Sequence, residues 1–374
     1  MLYFVGSFEQ GGAERQVAEL VKNMPRARFD VHVAVCNRGD QFGYDLSPRS
    51  FHDLRTPRGP SAATLVALVR LVRALDPDIV HAVHDPQNSY ARLAVTLARR
   101  GAAIGSLRCT RLPERTIRRE RLTHGLGAAL IVNSHAIREE LARARISGVE
   151  VVENGVDGSR FAPLDLPTRM AERARFGIDG ATFVVPARIA YQKNQLAVVR
   201  AVAALRSRGT WPRIARVVFA GRVETHSDYA RCVDASIRKL NVGDVIRRIE
   251  PVRDAEHLLA AADATLLPSH FEGLPNVVLE SLACGTPAIV SHAANVDGLV
   301  RDGVTGIVTG DTHEDVGHGM LRFLAMSMGE RAALGMRGRG DVRARFGIAR
   351  MVDGTCAIYD RILRTGIARR REAA

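Results

Sequence analysis

Ser269-His270-Phe271-Glu272-Gly273-Leu274-Pro275-Asn276-Val277-Val278-Leu279-Glu280-Ser281-Leu282-Ala283-Cys284-Gly285-Thr286-Pro287 is the stretch around which the chain is organised. It follows Ala264-Thr265-Leu266-Leu267-Pro268, an apolar run that reads as a buried parallel strand. Gly273 permits a tight turn, and Pro275 suits the first turn of a helix, where its missing N–H has no partner to lose. The spacing predicts a helix to about Cys284, stopped by Gly285 and Pro287. A strand-turn-helix of this kind aims free N–H groups and the positive end of the helix dipole at what lies above the strand, which favours a phosphate. Glu280 is the only charge between Asn276 and Gly285. A carboxylate among Val, Leu, Ala and Cys needs hydrogen-bond donors, and a ribose diol supplies two. Glu272 and Glu280, seven residues apart in the intervening sequence, would thus bracket a sugar-nucleotide.

Outward from this stretch the chain alternates strands and helices, the signature of parallel sheets. In the first half, strands are expected over Leu2–Ser7, Val31–Cys36, Asp78–Val83, Ala103–Leu107, Ala128–Asn133 and Val149–Glu153. Helices fall over Ala13–Met24, Ala63–Leu75, Gln87–Arg99 and Ala136–Arg145. Pro163, Pro167 and their polar neighbours read as a linker. A second set follows, with strands at Phe183–Pro186, Arg216–Ala220, Val245–Ile249, Ala264–Leu267 and Ala288–Ser291. Its helices are Gln195–Arg206, Asp228–Leu240, Ala255–Ala262 and the central one. Helical segments near Glu314–Met326 and Gly329–Phe346 precede a last helix from Ile348 to Leu363. The expectation is an α/β protein of two doubly wound sheets, residues 1–162 and 163–347, with ligands at the carboxyl ends of the strands.

Composition narrows the classes. With 374 residues, 46% hydrophobic and 25% charged, this is the balance of a globular protein with two cores. The net charge is +13, and only Lys22, Lys193 and Lys239 among 53 basic residues are lysines. A basic chain invites nucleic acid, yet no finger or aromatic stacking motif is present and aromatics are 5%, so no nucleic-acid partner is expected. An anionic substrate or an anionic membrane surface fits better. The segment from Arg108 to His124, with Arg108, Arg111, Arg115, Arg118, Arg119 and Arg121, could meet lipid headgroups or simply be a solvated face. Five scattered cysteines without a CxxC, no membrane-length apolar run and no signal-peptide layout point to a cytoplasmic protein, or one peripheral on the inner face of the membrane. Asp76-Pro77-Asp78 lies between a helix end and a strand start, as turn chemistry, and no metal and no other cofactor are expected.

Two further loops carry candidates. Gly11-Gly12-Ala13-Glu14 opens the first helix, where paired glycines let the backbone approach an oxygen-rich ligand; alone it is equally a helix-starting turn. Arg188 and Lys193, in Pro186-Ala187-Arg188-Ile189-Ala190-Tyr191-Gln192-Lys193-Asn194, are two cations on a strand-to-helix loop. There they can stabilise the charge growing on a leaving diphosphate.

Glu-Gly-Leu-Pro-Asn before the second Glu, and Ala-Cys-Gly-Thr-Pro after it, resemble the retaining family 4 glycosyltransferases of GT-B fold. The resemblance covers nearly the whole chain. It implies two Rossmann-like domains facing a cleft, with the last helix, 348–374, completing the first domain. It implies a nucleoside-diphosphate-sugar donor, UDP-sugar first and GDP-sugar next. Arg188, Lys193 and Glu272 would be the catalytic set. Gly11, Gly12, Val252, Gly273, Leu274, Pro275, Asn276 and Glu280 would complete the donor site. Arg222, after Phe219-Ala220-Gly221, could approach the nucleotide and is equally read as a surface arginine. Glu14, Arg108 and Arg111 would lie on the acceptor or sugar side; His81, near a strand end, is a further candidate for that side, though such a histidine is more often a satisfied structural one. The Asn154-Gly155-Val156-Asp157 segment with Phe161 matches the family near the domain junction.

Ala187 stands where the family usually has Gly, and arginine stands in Ser106–Arg111 where relatives often have a His touching the sugar. Ala294-Asn295 and then Asp297-Gly298 replace a Gly-Gly and Glu. These departures bear on the sugar and acceptor. The expected reaction is hexosyl transfer to a lipid-linked or polysaccharide glycan of the cell envelope. The alternatives are a small-molecule acceptor, a non-hydrolysing nucleotide-sugar epimerase, or a binding protein that keeps the fold.

Overall fold

The computed structural model describes residues 1–8, 11–38, 46–57, 59, 61–223 and 227–372, with side chains to 365. It divides into two compact units, Met1–Gly155 with Ile348–Ala374, and Val156–Gly347.

The first unit is built on a parallel sheet of β1 (Leu2–Val5), β2 (His32–Val35), β3 (Ser50–Asp53), β4 (Ile79–Ala82), β5 (Ala102–Leu107), β6 (Ala129–Val132) and β7 (Val149–Val151). Their order is β3-β2-β1-β4-β5-β6-β7. Because strand side chains alternate, β1 sends Tyr3 and Val5 into one apolar cluster and Leu2 and Phe4 into another, so both faces are covered. The first face is packed by α1 (Gly12–Asn23) and the last helix, α13 (Ile348–Glu372), which contributes Met351, Val352, Cys356, Ile358, Tyr359 and Ile362. The second is packed by α2 (Ala62–Leu75) and α3 (Gln87–Ala98). Helices α4 (Glu114–Thr123) and α5 (His135–Arg143) complete the unit.

The second unit opens with α6 (Leu166–Arg175), followed by β8 (Thr182–Val185), α7 (Gln195–Ser207), β9 (Arg216–Ala220), α8 (Asp228–Lys239) and β10 (Ile246–Ile249). It continues with α9 (Ala255–Ala261), β11 (Ala264–Leu267), α10 (Asn276–Ala283), β12 (Ala288–Ser291) and β13 (Gly306–Thr309). It ends with α11 (His313–Ala325) and α12 (Met328–Arg345). The sheet order is β10-β9-β8-β11-β12-β13, all pairs parallel. Strand order therefore reverses between β8 and β11, the point at which open α/β sheets bind ligands.

The boundary between units differs from the expected 162/163. Val156 and Phe161 belong to the second core, and the Val156 N–H donates to the Phe346 carbonyl at 2.8 Å, so the two crossings of the chain lie side by side. The segment read as a linker contains α6, with Asp165 as its N-cap accepting from the Thr168 N–H at 2.8 Å. Pro167 sits in the first turn, where a proline starts a helix as readily as it punctuates a loop. Arg169 and Arg173 reach Asp263 at 3.2 and 3.1 Å and hold α6 to the residue that precedes β11.

Candidate active site

The loops leaving β8 and β11 meet at the reversal of strand order. Lys193 Nζ lies 2.5 Å from Glu272 Oε1, with side chains 17% and 7% exposed. Gln192 Nε2 donates to the Phe271 carbonyl at 2.9 Å and to Glu272 Oε2 at 3.4 Å, so both oxygens of this carboxylate are held. The His270 N–H donates to the Gln192 carbonyl at 2.9 Å, and Asn194 Nδ2 donates to Pro268 O and Asp311 O at 3.2 and 2.8 Å. Asn194 adopts a left-handed φ of 54°, the turn that ends the Tyr191–Lys193 helical turn and starts α7. Tyr191 stacks on His270 with centroids 4.8 Å apart, and His270 Nδ1 is 2.8 Å from Asp311 Oδ2.

Arg188 is exposed on the same loop, whose fold is fixed by Gln195 Nε2 donating to the Arg188 carbonyl at 2.8 Å. Arg222 lies alongside: its carbonyl accepts the Ile189 N–H at 3.0 Å. Gly221 is required there, because a Cβ would stand 2.2 Å from the Ala187 carbonyl oxygen. Gly273, Leu274 and Pro275 are buried beneath the turn, and Asn276 begins α10 half-buried. Glu280, about one turn along α10, is 5% exposed. Burial and the Glu280 and Glu256 carboxylates push the neighbouring Cys284 thiol far up, which keeps it protonated. Val252 packs with Ile249 against the cluster of Val184, Val218 and Leu258. The site residues expected in this unit therefore fall on the loops that follow its strands, apart from Asn276 and Glu280 on α10, and Lys193 and Glu272 are in contact.

The remaining expected residues belong to the first unit. Gly11 and Gly12 start α1 as expected for a helix N-terminus; Gly11 is extended, and the Glu14 carboxylate folds back so that a Gly11 Cβ would meet Glu14 Oε2 at 2.0 Å. Arg111 is exposed, and its N–H donates to Glu140 Oε2 at 3.0 Å. Of its two readings, His81 takes the structural one, which corrects its place on the acceptor or sugar side. It is 1% exposed, with Nδ1 2.6 Å from Tyr359 Oη and Nε2 2.7 Å from Ser106 Oγ. Both ring nitrogens are engaged, so His81 belongs to a buried chain that ties α13 to β4 and β5, and it presents nothing to a sugar. Desolvation, with Arg108 adding to it, pushes its pKa down to about 3. Arg108 is half-buried at the end of β5 and donates from Nη1 to Asn154 Oδ1 at 2.8 Å.

Sequence reasoning missed Gln192 and the His270–Asp311 pair. Gln192 stands beside Lys193, but only the fold shows that its amide reaches Glu272. The Asp76 carboxylate pairs with Arg100 at 3.3 Å at the end of α2. Among the described residues, no group of three or more His, Cys, Asp or Glu is placed to hold a metal.

Two parallel-sheet Rossmann-like units define the GT-B class of glycosyltransferases. The family profile "Glycosyltransferase Family 4" matches residues 10–160 and "Glycosyl transferases group 1" matches residues 169–341. The chain belongs to the family 4 glycosyltransferases of GT-B fold. It is similar to a D-inositol 3-phosphate glycosyltransferase of Kineococcus radiotolerans, 31% identical over 64% of this chain and 59% of that protein. It is also similar to one of Saccharomonospora viridis, 32% identical over 62% and 54%. The chain thus spans a little over half the length of these relatives. In fold it matches Anabaena HepE, crystallised with UDP and glucose, at a TM-score of 0.83 over 96% of this chain and 99% of that one, with 19% identity.

Proposed function

We propose that this chain transfers a hexose from a nucleoside-diphosphate-sugar to an acceptor hydroxyl with retention of anomeric configuration and without a metal ion. The observation that carries this reading is the Lys193–Glu272 contact at the β8/β11 reversal. A carboxylate there accepts from sugar hydroxyls, and an ammonium beside it meets a diphosphate; an epimerase would need acid and base groups around the sugar instead. In this reading Arg188 and Lys193 hold the diphosphate, Glu280 the ribose, and Glu272 with the Gly273–Leu274 backbone the sugar. A UDP-sugar is the first choice of donor, supported by the HepE structure with UDP, and a GDP-sugar the next.

The bond from the anomeric carbon to the diphosphate oxygen breaks on the same face on which the acceptor oxygen bonds. The acceptor's proton passes to a phosphate oxygen of the departing diphosphate, and Arg188 and Lys193 neutralise the charge that develops. Glu272 and Glu280 are not an acid–nucleophile pair, because the leaving phosphate takes its proton from the acceptor and needs no general acid from the protein. The helix dipole of α10 and the two cations do what Mg²⁺ does elsewhere.

The acceptor hydroxyl belongs to an envelope glycan or to a small polyol, the latter in keeping with the relatives' name. Association with anionic lipid is part of the proposal: α4 turns Thr116 and Glu120 inward and leaves Arg115, Arg118, Arg121 and Leu122 exposed. No described helix is long and apolar enough to cross a membrane. The test is a donor panel with a chelator present, read as nucleoside diphosphate released and as the product's anomeric configuration. Retained configuration with undiminished rate supports the reading. An inverted product, a chelator-sensitive rate, or sugar epimerisation without acceptor overturns it.

A further inference from the structure

The carboxyl ends of β5, β6 and β7 bring together Arg108, Asn133 and Asn154. Arg108 Nη1 donates to Asn154 Oδ1 at 2.8 Å, and Asn133 Nδ2 reaches the same oxygen at 3.2 Å. That uses one nitrogen of the guanidinium. Arg108 Nε is buried without a hydrogen-bond partner, and Nη2 makes no hydrogen bond among the described residues. The Nε–Nη2 edge is the fork that fits a carboxylate or phosphate in two parallel hydrogen bonds. Asn133 is 2% exposed and its Oδ1 is also without a partner. No carboxylate forms an ion pair with Arg108 among the described residues; Glu14 acts on it only through space. The cation is desolvated, with its pKa pushed down to about 10, and so remains charged at neutral pH.

An enclosed cation without a counter-charge costs stability that an anionic ligand would return. We infer that Arg108, Asn133 and Asn154 form an oxyanion site in the first unit, which takes a phosphate or carboxylate of the acceptor. The donor fork of Arg108 grips the oxyanion, and Asn133 Oδ1 accepts from a neighbouring acceptor hydroxyl. The acceptor is then an anionic polyol and not a neutral glycan. The site lies where α/β sheets bind ligands, and its assignment to the acceptor rests on the glycosyl-transfer reading.

The experiment compares thermal shifts of wild type, Arg108→Gln and Arg108→Lys with glycerol 3-phosphate, glycerol, inorganic phosphate and UDP, at matched ionic strength. Glycerol 3-phosphate is expected to stabilise the wild type more than inorganic phosphate does, and glycerol not at all. Arg108→Gln should weaken the glycerol 3-phosphate response roughly tenfold or more, with Arg108→Lys between, since lysine keeps the charge but not the fork. UDP should protect all three equally, which also shows that the variants are folded. Equal glycerol 3-phosphate responses in wild type and Arg108→Gln, or none in a wild type that responds to UDP, would overturn the site. Equal responses to glycerol 3-phosphate and inorganic phosphate would overturn the polyol part. A UDP response lost with Arg108→Gln would assign the cation to the donor and overturn the acceptor assignment. A wild type that ignores UDP counts against the nucleotide reading, separately from the oxyanion site.

Discussion

Lys193 and Glu272, on two loops that leave neighbouring strands, are in contact at 2.5 Å, and Gln192 holds the second oxygen of the same carboxylate. The cation and the anion that the proposed reaction needs are thus pre-placed on one another. A diphosphate entering this loop pair competes with Glu272 for the ammonium and leaves the carboxylate to the sugar.

Lys193→Ala should therefore lower kcat by about a hundredfold or more, the scale of losing a preorganised charge at a developing anion. Glu272 keeps Gln192 as a partner, so the melting temperature should move little. Steady-state kinetics with a calorimetric scan checks both; unchanged turnover would remove Lys193 from the diphosphate clamp.

Arg92 and Glu120 form an ion pair at 2.7 Å with side chains 1% and 0% exposed, and Asn88 donates to the other Glu120 oxygen at 3.0 Å. Glu120→Ala strands a buried guanidinium and should cost roughly 3–5 kcal/mol in urea unfolding. Replacing both, as Arg92→Met with Glu120→Leu, should cost much less. Equal losses would show that the charge is not the cause.

Gly335 of α12 faces the end of α10 so closely that a Cβ would stand 1.9 Å from the Gly285 carbonyl oxygen. Gly335→Ala forces the two helices apart and should destabilise by about 1–3 kcal/mol, despite alanine's better helix propensity. Because α10 carries Glu280, nucleotide protection should weaken in the same variant. A stabilised protein would contradict this packing.

His81 is neutral in the fold, its pKa pushed down to about 3 from an ordinary 6.5, and His84 is pushed to about 4. Below pH 6.5 the unfolded chain binds protons that the native state refuses, so this stability is full above 6.5 and falls as pH drops toward 3. Each histidine should contribute a slope of about 1.4 kcal/mol per pH unit within its window. Tyr3, Tyr359, Ser106 and Arg108 surround His81. Urea unfolding between about pH 6 and about pH 5 should show a shallower slope in His81→Gln. An unchanged slope would place the effect elsewhere.

The order of elements was readable because strands buried on both faces are plain apolar runs and α10 has its turn chemistry in view. Part of what was missed had polar inner faces. In α4 the buried positions are Thr116 and Glu120, matched to Asp85 and Arg92, so hydrophobic periodicity does not mark it. β3, Ser50-Phe51-His52-Asp53, is a half-buried edge strand, and β13 begins on a glycine. Lys193 and Glu272 were legible as residue types on successive loops; that Gln192 holds the carboxylate was not, since 79 or 80 residues separate the partners. His81 left two readings open because a histidine at a strand end has the same sequence signal whether it faces a ligand or a tyrosine, and the structure selects the second.

The central claim is that the second unit holds a nucleoside diphosphate with Glu280 on its ribose. The direct measurement is thermal protection of the wild type and Glu280→Ala by UDP, GDP, ADP, dTDP and NAD at matched concentrations. A ligand at about a hundred times its Kd adds roughly 2.7 kcal/mol. The account predicts that one diphosphate, UDP first, protects the wild type and that Glu280→Ala loses that protection. No protection by any diphosphate, or protection that survives in Glu280→Ala, would contradict it.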